Sequence, residues 1–381
     1  MKKTRGFSTR ANHTFYNPNK DDGAIIPPIH LSTTFTFGNK KGYDYSRSGN
    51  QTRHILEHTI AELDNNAYGL AYSSGSAVLA NVVALLKPQE MILFSSDAYG
   101  GTYRYITQVS HNQGIQYKII DFTDKAQTEE ALKNNPIKLI WVETPTNPLL
   151  KVVDIAQMAQ LAHKYHAFLI VDNTFASPIL QQPALLGADV VAYSTTKYIN
   201  GHSDVVGGAL TTSNEDLYQK LKFLQNAIGA MLSPFDSWLT LRGLKTLELR
   251  MKRHVDNAEE IASFLEKHRK IKKVYYPGLF TGEQGRIVAR QMARPGGMIS
   301  VELKEKYDVK KFLAKLEYFP LAESLGGVES LIDHPASMTH ASIPKSEREK
   351  IGLSDGLFRI SVGIENREDL LEDLSQALEN L

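Results

Sequence analysis

Cysteine does not occur in this 381-residue chain. Its absence excludes disulfide cross-links, a thiolate nucleophile and any Cys-ligated zinc or iron–sulfur centre. An excess of either charge is missing as well: 43 Lys and Arg meet 42 Asp and Glu, for a formal net charge of +1. Without a broad basic field, neither nucleic acid nor an anionic membrane is an expected partner. Long apolar runs are also lacking. The densest, residues 77–86, is too short to span a bilayer and is interrupted by Asn81. The opening Met1-Lys2-Lys3-Thr4-Arg5 is basic but leads into polar Asn12-His13-Thr14 with no apolar core. An export leader is therefore not expected, and the chain reads as a soluble, cytoplasmic protein. There is no internal repeat and no low-complexity tract.

What is present is ample material for cores, with 42% hydrophobic residues, in a length suited to two or three domains. Residues 1–55 are rich in Asn, Thr, Gly and Pro and show no sustained period, yet they carry many aromatics. Disordered tails seldom do, so this arm is expected to dock, and a neighbouring subunit is the natural place. From Ser73 onward short apolar runs recur at 91–94, 117–122, 139–142, 168–171, 190–193 and 207–210. Their brevity and density predict strands buried on both faces. Helical stretches lie between them; Asp154 can cap one in which Ile155, Met158, Ala159 and Ala162 share a face. This alternation predicts an α/β fold with a mostly parallel, doubly wound sheet over residues 56–235. Ligands of such sheets lie beyond the carboxyl ends of the strands.

Ser233-Pro234-Phe235-Asp236 reads as a helix start, with Ser as N-cap and Pro in the first turn. Apolar residues from Leu241 to Leu265 then recur at helical spacing, as one long helix or two in series. Residues 236–381 continue with strands at 298–303 and 358–362 and a final helix started by Asn366 and Asp369. They form a smaller α+β domain.

Four features fall at the expected strand ends. Ser73-Ser74-Gly75-Ser76 precedes an apolar helix, and free N–H groups with a positive dipole end suit a phosphate. Asp172 follows a buried strand, where an acid is a cap, a metal ligand or a partner for a protonated ring nitrogen. Lys197 sits among hydroxyls in Ser194-Thr195-Thr196-Lys197; a lysine at such an edge loses hydration and becomes a nucleophile. Tyr99, before Gly100-Gly101, can stack on a planar ring, the glycines allowing close approach to a ligand. Phosphate cradle, acid, aromatic and lysine together are the requirements of pyridoxal 5'-phosphate.

With these features in place, the chain resembles the Cys/Met-metabolism family of pyridoxal-phosphate enzymes along nearly its whole length. The matching motifs are Pro27-Pro28-Ile29, Tyr45-Ser46-Arg47-Ser48-Gly49-Asn50, Tyr99-Gly100-Gly101-Thr102, Glu143-Thr144-Pro145-Thr146-Asn147-Pro148, Asp172-Asn173-Thr174, residues 194–204, Glu323-Ser324-Leu325-Gly326-Gly327 and residues 359–363. The resemblance implies a fold-type I transferase with a seven-stranded, mostly parallel sheet. It implies that Lys197 binds the cofactor covalently and shuttles protons, that Asp172 charges the ring nitrogen, and that Tyr99 stacks on the ring and assists the leaving thiolate. Ser74, Gly75, Ser76, Ser194 and Thr196 would bind the phosphate, joined by Tyr45 and Arg47 from a neighbouring subunit, in a homotetramer built of active dimers. Arg359 would hold the carboxylate of an amino-acid substrate, helped by Asn147 and Ser324, and Tyr45 would also contact that substrate.

Glu323 stands where γ-lyases and γ-synthases of the family carry an acid for the distal amino group of cystathionine. The expected reaction is therefore that of a cystathionine γ-lyase with some β-elimination, the alternatives being γ-synthase and β-lyase chemistry. Val78 and Ala98 depart slightly from the family pattern and bear on substrate preference. Two readings of other classes remain: a zinc hydrolase built on His54-Ile55-Leu56-Glu57-His58, which matches H-x-x-E-H, and a catalytically inert binding protein, against which Lys197, Asp172 and Arg359 all stand.

Overall fold

The short apolar runs fold as strands because helices cover them on both sides. The computed structural model describes residues 5–338 and 352–381, except 14 and 22, together with Lys345 and Arg348. Its larger sheet comprises β1 (Tyr68–Tyr72), β2 (Met91–Ser95), β3 (Gln116–Ile120), β4 (Ile137–Glu143), β5 (Phe168–Asp172), β6 (Val190–Tyr193) and β7 (Gly208–Thr212). Their spatial order is β1-β7-β6-β5-β4-β2-β3. Neighbours from β3 to β6 are parallel, whereas β7 is antiparallel to both β6 and β1. β1 therefore runs with the parallel strands, and its carboxyl end emerges on their side.

Alternation along each strand feeds two cores. On one face Leu139 and Trp141 of β4 pack with Leu79, Val82 and Phe94. On the other, Ile140 and Val142 pack with Ile155, Met158 and Ala162. The helix Ile155–Lys164 starts as its sequence predicts, Asp154 accepting a hydrogen bond from the backbone N–H of Gln157 at 3.2 Å. Such caps contribute about 1 kcal/mol. Ser233 likewise caps Pro234–Leu244, and a break at Lys245 and Thr246 separates it from Leu247–Lys267, giving two helices in series.

A second sheet holds β8 (Ile271–Tyr275), β9 (Met298–Leu303), β10 (Leu331–Asp333) and β11 (Leu357–Ser361) in the order β10-β11-β9-β8, all antiparallel. The last helix, Arg367–Glu379, buries Leu370, Leu374 and Ala377 against Phe312 and Phe358. Asn366 occupies its N-cap position, but its side chain makes no capping bond.

The N-terminal segment carries more structure than its composition suggests. A helix runs over Phe7–His13, and another, Gln51–Leu63, begins before residue 55 under an Asn50 cap. Between them Ile25, Ile26, Leu31 and Phe37 are exposed. No helix among the described residues is long and apolar enough to cross a membrane.

Candidate active site

Five strands of the larger sheet deliver side chains to one cavity of about 320 Å³. β1 leads to the Ser74-Gly75-Ser76 turn and β2 to Tyr99. β4 ends at Glu143, β5 ends at Asp172, and β6 leads to Ser194, Thr196 and Lys197. Asn147, Glu323, Ser324 and Arg359 close the opposite side. The cavity thus gathers twelve of the residues singled out in sequence, leaving out Tyr45 and Arg47. Arg47 lies over the Tyr45 ring at 5.5 Å and donates to the Asn226 carbonyl at 3.1 Å, outside this cavity of its own chain.

Ser74 caps the helix Gly75–Val83 by accepting from the N–H of Ala77 at 3.0 Å, so the turn's remaining donors face the cavity end. β7 presses against this turn: a Cβ at Gly208 would lie 2.3 Å from the Ser74 carbonyl oxygen. Ser194 is fixed through its backbone N–H, which donates to Thr174 Oγ1 at 2.8 Å. The Thr196 hydroxyl accepts from the N–H of Gly207 at 2.9 Å and donates to that residue's carbonyl at 3.2 Å.

Lys197 Nζ donates to Ser324 Oγ at 2.7 Å. Burial, reinforced by the Arg359 cation, holds its pKa down to about 8, the direction that frees an amine lone pair near neutrality. Ser324 has a φ of 90°, rare for a non-glycine residue, and its carbonyl accepts from Arg359. Asp172 accepts from both the N–H and the hydroxyl of Thr174, at 3.0 and 2.6 Å. Burial nevertheless raises its pKa, leaving a carboxylate that gains from a cationic partner.

Arg359 donates to Asn147 Oδ1 at 2.6 Å and forms a buried ion pair with Asp333, its register partner across β10 and β11. The guanidinium is thereby fixed in orientation before any ligand arrives. Asp333 was not legible as a site residue in sequence; the signal would have been an acid alternating inward on a strand beside that of Arg359. Glu143 stands out in sequence only as the first residue of Glu143-Thr144-Pro145-Thr146-Asn147-Pro148. A Cβ at Gly101 would lie 2.4 Å from a ring carbon of Tyr99, so this glycine makes room for the Tyr99 ring.

The H-x-x-E-H pattern does not assemble a metal centre. Glu57 accepts from the N–H of Ala71 at 3.0 Å, His54 pairs with the Tyr43 hydroxyl at 2.8 Å, and His58 stacks on Phe15. No group of three potential His, Asp or Glu ligands exists among the described residues.

The donor set fits a flat, phosphate-bearing ring with a basic nitrogen: a helix-end cradle, a buried carboxylate, an aromatic face and a poorly hydrated amine share one cavity. Comparison with known proteins agrees. The family model described as Cys/Met metabolism PLP-dependent enzyme matches residues 8–379. A cystathionine β-lyase from Coxiella burnetii is 48% identical, over 99% of this chain and 98% of its own. A cystathionine γ-lyase from Dictyostelium discoideum is 51% identical over 97% of each. The crystal structure of a cystathionine γ-synthase from Xanthomonas oryzae pv. oryzae in complex with cystathionine superposes with a TM-score of 0.95 at 45% identity, covering 99% of this chain and 98% of that one.

Proposed function

The chain belongs to the Cys/Met metabolism PLP-dependent enzymes, and from that premise we propose that it cleaves L-cystathionine by α,γ-elimination to L-cysteine, 2-oxobutanoate and ammonia. Bound pyridoxal 5'-phosphate supplies the electron sink that makes loss of the substrate Cα proton possible. Ser74, Gly75, Ser76, Ser194 and Thr196 would hold its phosphate, Asp172 would pair with its ring nitrogen, and Tyr99 would stack on its ring. Lys197 is the amine that binds it and then carries protons at the substrate's Cα and Cβ. The Tyr99 phenol gives a proton to the sulfur departing from Cγ. Arg359, braced by Asn147 and Asp333, receives the α-carboxylate through its planar fork.

Glu323 carries the choice of substrate: it is an exposed acid on the cavity wall that also holds Lys197, so it can receive the distal ammonium of a diamino substrate. β-Elimination to homocysteine, pyruvate and ammonia is the second reading, favoured by the β-lyase relative at 48% identity. Incubation with cystathionine, homocysteine, methionine and O-acetyl-homoserine side by side, with products identified by mass, separates these. Cysteine and 2-oxobutanoate are expected to dominate from cystathionine. Mainly pyruvate and homocysteine would transfer the assignment to the β-lyase reaction. Faster cystathionine formation from O-acetyl-homoserine and cysteine would transfer it to the synthase.

Tyr45 and Arg47 act across a subunit boundary in this proposal, reaching the phosphate of a neighbour in a tetramer of paired active dimers. Their place outside their own chain's cavity supports it, as do Ile25, Leu31 and Phe37 nearby in sequence, which are exposed in the single chain. Co-expressed Arg47→Ala and Lys197→Ala chains are expected to regain activity, because a mixed dimer rebuilds one site with both native residues. Absence of any recovery in mixed dimers would count against a shared site.

A further inference from the structure

Glu143 has no part in the chemistry above, yet it occupies the middle of the site. It ends β4 in register with Asp172 at the end of β5, so the two carboxyls stand side by side on adjacent strands. Glu143 is only 6% exposed and forms no ion pair among the described residues. Its two oxygens are both engaged with the turn that carries Tyr99. One accepts from the Tyr99 N–H at 2.7 Å, and the other meets the Thr102 hydroxyl at 2.7 Å. Tyr99 is half-exposed and heads the short helix Gly100–Arg104 without a side-chain cap. Glu143 is therefore the fastening that joins this turn to the sheet.

We propose that Glu143 is a positioning residue: as a neutral carboxyl it ties the Tyr99 turn to the strand pair bearing Asp172, and so sets the tilt and retention of the cofactor ring. This rests on the reading that Tyr99 and Asp172 hold that ring. Two adjacent buried carboxylates do not both ionise, and Asp172 is the one facing a cationic partner. A neutral Glu143 still satisfies its contacts, accepting from the Tyr99 N–H with one oxygen and donating to Thr102 Oγ1 with the other. Burial and the nearby Asp172 charge act in the same direction, raising the pKa of Glu143.

A glutamine has nearly the same shape as the neutral acid, and its amide can likewise accept from the Tyr99 N–H through its oxygen and donate to Thr102 Oγ1 through its nitrogen. Glu143→Gln is thus expected to bind pyridoxal 5'-phosphate within about threefold of the native protein, since no buried contact is lost. The circular dichroism of its bound cofactor, which reports ring tilt, is expected to be unchanged. Glu143→Ala strands the Tyr99 N–H, and Thr102→Val removes the other anchor. Both are expected to weaken binding by roughly 10-fold and to alter the dichroism. Glu143→Gln as defective as Glu143→Ala would overturn the neutral role, and native dichroism and affinity in Thr102→Val would overturn the fastening even if Glu143→Ala fails to fold. Asp172→Ala serves as the control: if it binds the cofactor as tightly as the native protein, the underlying site reading fails instead.

Discussion

Lys197→Ala is expected to lower turnover by about 10⁴-fold, the upper end of what one positioned acid–base group contributes, and to leave the protein folded. The expectation comes from the cavity's composition. Lys197 is the one lysine on its wall, so no other described amine can take over either covalent binding or proton transfer. Its surroundings also suit the task, since burial and the Arg359 cation push its pKa down to about 8. At neutral pH a useful fraction is then unprotonated, whereas an ordinary surface lysine would be almost fully charged. Lys197→Arg tests the chemistry apart from the charge: it keeps a cation but offers no nucleophile, and it is expected to be as inactive as alanine. Near-native 2-oxoacid production by either variant would remove Lys197 from the mechanism.

Asp172 gives the second large effect. Its carboxylate is held by Thr174 through two hydrogen bonds, and burial makes it costly to ionise without a cation beside it. In the proposed function the protonated ring nitrogen of the cofactor supplies that cation. Removing one partner of a buried ion pair costs about 3–5 kcal/mol, so Asp172→Ala is expected to weaken cofactor binding by roughly 10²–10⁴-fold and to slow turnover as well. Asp172→Asn separates charge from shape. It keeps an acceptor for Thr174 but cannot stabilise a protonated nitrogen, so turnover is expected to fall even in cofactor-saturated enzyme. Full activity of saturated Asp172→Asn would mean that the carboxylate serves only to hold Thr174.

That these residues would share one cavity was legible in sequence because their signals are local. Short apolar runs marked β2, β4, β5 and β6, and cavity-lining side chains sit within a few residues of the ends of those runs. The caps at Asp154 and Ser233 were equally local, each a side chain bonding a backbone N–H three residues ahead. β1, β8 and β10 escaped. β1 contains Gly69 and Ala71, both weak strand formers. β8 places two lysines in the middle of five residues, and β10 spans only three. What identifies these strands is the neighbour they pair with, and pairing is not written in any one segment.

The same reason hid the contacts that orient the site. Asp333 reaches Arg359 through the β10–β11 register, and Glu143 reaches Tyr99 across the sheet from a different strand end. The H-x-x-E-H pattern failed in the opposite way. Its spacing is real, but Glu57 turns to the backbone of β1, a contact between distant segments that a five-residue pattern cannot encode.

The linkage between Lys197 and the cofactor is tested most directly by borohydride reduction of the freshly purified native protein, followed by mass analysis of its tryptic peptides. The expected result is a coloured protein that bleaches on reduction, with a pyridoxyl-phosphate mass increment on the peptide containing Lys197. An unmodified Lys197 peptide, or the increment on a different lysine, would contradict it.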